Sequence, residues 1–349
     1  MSNGYVPITI TNNQSTATGT NFQQMLNINM NNYSSYLNSD LSNVYFSSDT
    51  AGANVIDSWL ESGNSNTSTS TIFWVLLSNG IGANSSITIY MQIDLSGASH
   101  FNNTTTGEAP QLSGTYAEYD NGTTVFIFYD NFSGTSLDTS LWQVGSSGGS
   151  YSVNNGLTLT GAPSGSCEGL YSIPTFSAQA YTTDYYAYYA SLTAGGEQTL
   201  GMREGTTGNN FVYIQNQASP AGYYIASRNS SGQAFTEIGA GSTSTYQVLT
   251  SWQSASPLES VGQINYGTQA TNSTYSTAMT GGDVLQMFAC DAVVNIYVQW
   301  ARARLTPPNN TMPSISEGSI AINIANAPPI ITSHVNFVKY FPIPFESVI

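Results

Sequence analysis

Basic residues are nearly missing from this chain. Arg203, Arg228, Arg302, Arg304 and Lys339 are its whole cationic complement, set against twenty acidic residues for a formal charge of −15. A surface so poor in cations cannot neutralise a run of phosphates, which excludes nucleic acid as a partner. An anionic bilayer surface repels the same charge, and no window approaches the ~20 consecutive apolar residues of a membrane span. Charge of either sign is scarce: 7% of residues are charged, where soluble domains carry about 25%. Ser, Thr, Asn, Gln, Gly and Tyr supply the polarity instead. Their hydrogen bonds persist at any pH, whereas ion pairs fail once carboxylates protonate below about pH 4. An acidic extracellular or virion-surface setting, such as that of a thermoacidophile, is therefore expected.

Cysteine and histidine are equally scarce. Cys167 and Cys290 are the only two cysteines; they allow one intramolecular disulfide, or two buried thiols acting as small hydrophobes. Together with His100 and His334 they lack the ligand spacing of a zinc site. The N-terminal text MSNGYVPITITNN has neither the basic nor the apolar region of a secretory signal. Either the chain starts at a processed end, or it reaches the outside by assembling into a particle.

What is present is text for packed cores: 40% of residues are hydrophobic and 12% aromatic, which argues against disorder. Tyr5–Ile93 alternates as short strands separated by turn residues, with Thr71–Leu77 the most apolar and Ser86–Met91 the cleanest alternator. A polar connector with Pro110 follows, so residues 1–120 are read as a small β-sandwich module. Residues 121–318 form a second β-domain. Its candidate strands include Ser150–Thr160, Tyr181–Leu192, Phe211–Gln215, Tyr246–Trp252 and Val284–Arg304, the last long enough for two strands or one bent across a bulge. The Tyr185–Tyr189 text carries aromatics on both faces and reads as a central strand. Residues 319–349 are a proline-interrupted extension suited to docking on a neighbour. Asn-x-Ser/Thr acceptors include Asn32, Asn66, Asn84, Asn103, Asn121, Asn131, Asn229 and Asn272, candidates for glycosylation on an exposed surface.

The stretch Val125–Trp142, VFIFYDNFSGTSLDTSLW, opens the second domain. Val125–Tyr129 is strand text, and Leu137 and Trp142 can fold back as an apolar plug. Together with the text up to VQWARARLTPPNNTMPSISEG, it resembles the concanavalin-A-like jelly roll of laminin-G or glucanase type. The preceding text, YVPITITNNQSTATGTNFQQMLNI, FWVLLSNGI and TGEAPQLSGTYAEYDNG, resembles an archaeal module of unknown function. That module occurs in secreted proteins and in virion surface or fibre proteins of Sulfolobales and their viruses. The resemblance spans about residues 5 to 318 and implies an all-β fold of two consecutive sandwiches.

A glucanase-type jelly roll directs attention to the carboxylates. Retaining enzymes of this kind carry E-x-D-x-E on one strand, which alternation points into one cleft with the outer pair roughly 5.5 Å apart. Here the acidic residues are scattered singly, and no nucleophile motif replaces them. The chain is therefore expected not to be an enzyme, with glycoside hydrolysis kept as an alternative. No cofactor is expected, although Asp130 and Asp138 could ligate Ca²⁺; the competing reading gives Asp130 to backbone amides of its turn. Tyr213, Tyr223, Tyr224 and Trp252 are candidate sugar platforms, each also a candidate core residue. Arg203 and Arg228 either pair with a carboxylate or reach an acidic sugar. The resulting expectation is a virion surface protein of an archaeal virus, attaching through host glycan. It would be a homo-oligomer that contacts neighbouring virion or surface-layer subunits through residues 319–349. A secreted archaeal surface or filament component is the alternative.

Overall fold

In Asn3–Asn12 every second residue is buried, and Val6, Ile8 and Ile10 form its fully buried apolar face. That alternation sets the architecture of the whole molecule. The structure, a computed structural model, describes residues 3–145, 148–162, 167–192, 198–290 and 294–323. It is all-β, two sandwiches whose four sheets stack face to face around three apolar layers.

The first sandwich packs a six-stranded sheet on a four-stranded one. Asn3–Asn12 runs antiparallel to Ser85–Asp94 along its full length. The facing sheet holds Phe22–Ile28, Thr71–Leu77, Ser58–Ser62 and Thr106–Glu108. Phe73, Val75 and Leu77 point into the core between them, and Trp74 points out. Two strands come from the far end of the chain: Ser314–Glu317 pairs with Ile8–Thr11, and Ala321–Asn323 with Asn3–Tyr5. The sequence reading placed the first of these in the second domain and the second in the extension. Pairing over such a separation has no local signature, because either strand alone reads the same wherever it docks. Glu317 fastens the closure, accepting from Tyr33 Oη at 3.2 Å and Asn29 N at 3.3 Å. The rest of the expected docking segment, beyond Asn323, lies outside the described residues.

The second sandwich is a jelly roll of eight-stranded and seven-stranded antiparallel sheets. Tyr181–Tyr189 is central as expected, between Gln247–Ala255 and Asn295–Leu305. Ser150–Thr160 is a hairpin rather than one strand, because Asn155 and Gly156 both take positive φ and turn the chain. Val284–Arg304 divides into Asp283–Cys290 and Asn295–Leu305, which lie in different sheets. Val125 is not strand: it ends the helical turn Gly122–Val125, and the strand is only Phe128–Asp130. Val125 and Phe126 pack into the layer between the sandwiches, which pulls them off the jelly-roll ladder. Leu137 and Trp142 do fold back onto Phe128 and Phe132 in the core.

The four-stranded sheet lies on the eight-stranded one. Trp59, Trp74, Phe126 and Trp300 fill the seam. Near Gln299, Tyr186 pairs with Trp300 but Ala187 with Val298, so one residue is bulged. The bulge reverses the parity of the strand. Ile296 and Val298 face the jelly-roll core, as do Ala301 and Ala303, while Trp300 and Arg302 turn to the seam. Arg302 is fully buried there and bonds Asp184 Oδ2 through Nε and Glu61 Oε2 through Nη2, each at 2.8 Å. Arg304 Nε meets the same Asp184 oxygen at 2.8 Å. Trp74 Nε1 and Tyr266 Oη donate to Glu61 at 2.7 and 2.6 Å. Charges removed from water are thus paired and hydrogen-bonded across the seam, the condition for tolerating them.

Candidate functional site

The outer face of the seven-stranded sheet carries a trough of about 180 Å³. It is built by alternation: where Leu200, Met202, Val212 and Ile214 point into the core, Arg203, Phe211 and Tyr213 point out. Register sets them in a row, with Arg203 opposite Phe211 and Phe211 opposite Arg228 on three adjacent strands. The Phe211 ring lies between the two guanidinium groups, 4.8 Å from Arg203 Cζ and 5.1 Å from Arg228 Cζ. Such contacts fix the charge over the ring.

Two glycines make the trough. A Cβ on Gly201 would stand 2.7 Å from Tyr213 Cβ and 2.3 Å from Val212 O. On Gly169 it would enter the Phe288 ring, at 2.4 Å from the nearest carbon. With hydrogen at both positions, Tyr213 and Phe288 settle against the sheet. Tyr171 packs on Phe288 with ring centroids 5.0 Å apart. Thr199 and Gln286 supply polar lining, and Cys167 and Cys290 close one end. These cysteines, directly opposite on neighbouring strands, are disulfide-bonded. Among the described residues no carboxylate lines the trough.

Arg203 carries the positive charge. Its Nε donates to Gly208 O at 2.9 Å and Nη1 to Tyr171 Oη at 2.6 Å, both neutral oxygens. Burial lifts the Tyr171 phenol above its ordinary range, although Arg203 opposes the shift. The phenol therefore stays protonated and accepts the hydrogen bond without neutralising the guanidinium.

Of the platform candidates, Tyr213 lines the trough with Arg203 and Arg228. Tyr223 is in the core and donates to Ser242 O at 2.6 Å. Tyr224 is buried and bonded to Pro220 O outside the lining. Trp252 belongs to the other sheet, its Nε1 donating to Asn310 Oδ1 at 2.8 Å. Sequence reasoning missed Tyr171, Phe211, Gln286 and Phe288. Phe211 was readable as the same-face neighbour of Tyr213, whereas the others need the long-range register. Asp130 and Asp138 face one pocket. Asp130 accepts from Phe132 N at 2.9 Å and Trp142 Nε1 at 2.6 Å, and Asp138 from Ser140 N at 2.8 Å. Asn32, Asn84 and Asn103 are exposed, and Asn66, Asn131 and Asn229 half-buried. Asn121 and Asn272 are buried, at 0% and 6% exposure. A glycan must reach solvent, so these two are corrected out of the acceptor set.

No family model matches the chain. Over 124 residues it is 44% identical to uncharacterized protein 562 of Sulfolobus islandicus rod-shaped virus 1, a match covering 36% of this chain. The chain spans about a fifth (21%) of that relative's length. The match links the chain to an archaeal virus. Similar solved structures include a glycosyl hydrolase family protein from Mycobacterium fortuitum, with 12% identity and a TM-score of 0.39 over 51% of this chain and 99% of the other. A structure reported with endo-acting O-glycanases of the human gut microbiota shows 13% identity and a TM-score of 0.41 over 52% and 99%. A pseudo β-1,3-glucanase of Mycobacterium tuberculosis shows 12% identity and 0.40 over 52% and 98%. At these identities the likeness is one of fold. The expectation that the chain is not an enzyme is corrected by these neighbours. It rested on a missing carboxylate run and a missing nucleophile motif, and the similar solved structures include one named as a glycosyl hydrolase family protein and one named a pseudo-glucanase. Activity is thus a question for assay and not for motif.

Proposed function

We propose that this chain is a surface subunit of an archaeal virus particle and that its trough binds an anionic host glycan. The observation that carries the reading is Arg203, stacked over Phe211 and bonded only to neutral oxygens among the described residues. Sugar rings present C–H faces that pack on aromatic rings, and a guanidinium matches a carboxylate or sulfate in geometry and charge. Lining amide and hydroxyl groups from Gln286 and Thr199 suit sugar hydroxyls. The chain as a whole carries −15 and repels polyanions, but screening confines that repulsion to about 8 Å at physiological salt. A local cation is what reverses it at the trough.

The test is a binding panel of neutral, carboxylated and sulfated oligosaccharides, run at mildly acidic pH. Anionic members should bind best, and Arg203→Gln should weaken them by about tenfold or more, the scale of a lost charge-assisted hydrogen bond. Equal affinity for neutral members, or an unaffected variant, would contradict the reading. Reducing ends are measured in the same incubations, so that turnover is seen if the trough also cleaves what it binds.

A further inference from the structure

The eight-stranded sheet carries a row of aromatic rings on the face turned to the seam. In Tyr181–Tyr189 the side chains of Tyr185, Ala187 and Tyr189 point into the jelly-roll core, so Tyr186 and Tyr188 point the other way and are half-buried. Register places Tyr186 opposite Trp300 and Tyr188 opposite Tyr297, and the bulge near Gln299 lets both partners share that face. Tyr186 stacks on Trp300 with ring centroids 5.4 Å apart, and Tyr188 on Tyr297 at 4.8 Å. Tyr246 joins the two pairs, 5.2 Å from Tyr186 and 4.9 Å from Tyr188.

At one end of the row lies a pocket of about 210 Å³, lined by Tyr186, Tyr246 and Trp300 of the jelly roll and by Glu61 and Gln111 of the first module. Several of its polar groups are unmatched. Trp300 is fully buried, yet its Nε1 has no hydrogen-bond partner among the described residues, and neither has the buried Gln111 Oε1. The bonds that Glu61 accepts from Trp74, Tyr266 and Arg302 all fall on Oε2. Burial, with the Glu61 charge adding to it, raises the Tyr186 phenol above its ordinary range, so its hydroxyl stays a donor. Unmatched buried donors and acceptors are costly, and a ligand that matches them removes the cost. A hydroxyl donates and accepts at once, so a polyhydroxylated ring meets an indole N–H, an amide oxygen and a carboxylate together. Among the described residues no cation lines the pocket, so a carboxylate or sulfate would lose its water without gaining a counter-charge. A volume below the roughly 300–1,000 Å³ of drug-sized sites suits a single ring. The trough, with Arg203 in its lining, has the opposite electrostatic character.

We propose that this seam pocket is a carbohydrate site separate from the trough, taking one neutral pyranose ring that packs on Tyr186 and Tyr246 and bonds Trp300 Nε1, Gln111 Oε1 and Glu61 through its hydroxyls. The test is saturation-transfer NMR of the full-length chain with the methyl glycosides of glucose, galactose and mannose. A ring this small is expected to bind with a Kd of about 1 mM, and at least one of the three should do so. Gln111→Leu and Tyr246→Ala should each weaken it by about fivefold or more, the scale of a lost hydrogen bond or ring contact. Arg203→Gln should leave it within about twofold, which separates this site from the trough whatever the trough binds. In that Arg203→Gln background, methyl glucuronide should bind at least about tenfold more weakly than its neutral counterpart. Transfer to none of the neutral glycosides, an unchanged affinity in Gln111→Leu, loss of the signal with Arg203→Gln, or equal binding of the glucuronide would each overturn the proposal. Should Tyr246→Ala fail to fold, the nearly isosteric Gln111→Leu reads the same site.

Discussion

Asp184 and Asp283 belong to the same sandwich, both fully buried, and titrate in opposite directions. Burial alone would raise Asp184, but Arg304 and Arg302 outweigh it and hold the carboxyl at about 2. Its folded value is below the ordinary 3.8, so its stabilisation is present above pH 4 and is lost as pH falls towards 2. Burial lifts Asp283 to about 6, with Glu204 adding to the shift, and among the described residues only Ala178 N, at 2.9 Å, holds one of its oxygens. Here the folded value is above the ordinary one, so the ionised carboxyl destabilises the fold above pH 6, and that cost disappears as pH falls to 4. Together they make the fold more stable at pH 4 than at pH 7. Asp283→Asn should raise unfolding free energy by about 1–3 kcal/mol at pH 7 and change it little at pH 4. Urea titrations at the two pH values check this, and equal gains at both would contradict it. Rarity alone drew attention to Arg203 and Arg228. The Ala-Arg-Ala-Arg text at 301–304 was an equally readable sign of one buried face with two cations. Its partner Glu61 is 241 residues from Arg302, and no local pattern points there.

At the level of elements, strands with β-branched and aromatic alternation were legible. Thr71–Leu77 has the bounds read from its sequence, and the Tyr185–Tyr189 text is central, with Tyr185, Ala187 and Tyr189 buried and Tyr186 and Tyr188 half-buried on the other face. Cys167–Ser172 and Gly232–Gly239 were not found, since they open on Cys-Glu-Gly and Gly-Gln-Ala text without β-forming residues and the ladders around them supply the conformation. Gln299 shows a different limit. A single bulged residue decides which face of the strand carries cations, and nothing in the local text marks it. The disulfide joins Cys167–Ser172 to Asp283–Cys290 across a separation of 123 residues. Closing so long a loop restricts the unfolded chain strongly, so reduction should lower stability by about 2–5 kcal/mol. Denaturation with and without reductant measures it. Because the pair also closes one end of the trough, reduction should weaken glycan binding as well.

For the whole molecule, the seam makes the two sandwiches one unit. Arg302 touches both, and cutting its contacts by Arg302→Met leaves Glu61 and Asp184 buried with fewer partners. Such a loss costs roughly 3–5 kcal/mol. Calorimetry should then replace one unfolding transition by two, and a single unshifted transition would show that the seam is dispensable. The seam covers the eight-stranded sheet of the jelly roll, and the trough lies on the opposite, seven-stranded face. Sequence text located the jelly roll and two of the cations on that face. The aromatic floor and the glycines that seat it emerge only from register. The most direct measurement of the account is a calorimetric titration at pH 5. One carboxylated oligosaccharide and its carboxyl-reduced counterpart are compared on wild type and Arg203→Gln. The account predicts that wild type prefers the carboxylated form by at least about tenfold, that the preference falls with added salt, and that the variant lacks it. A preference absent in wild type, or intact in the variant, would contradict it.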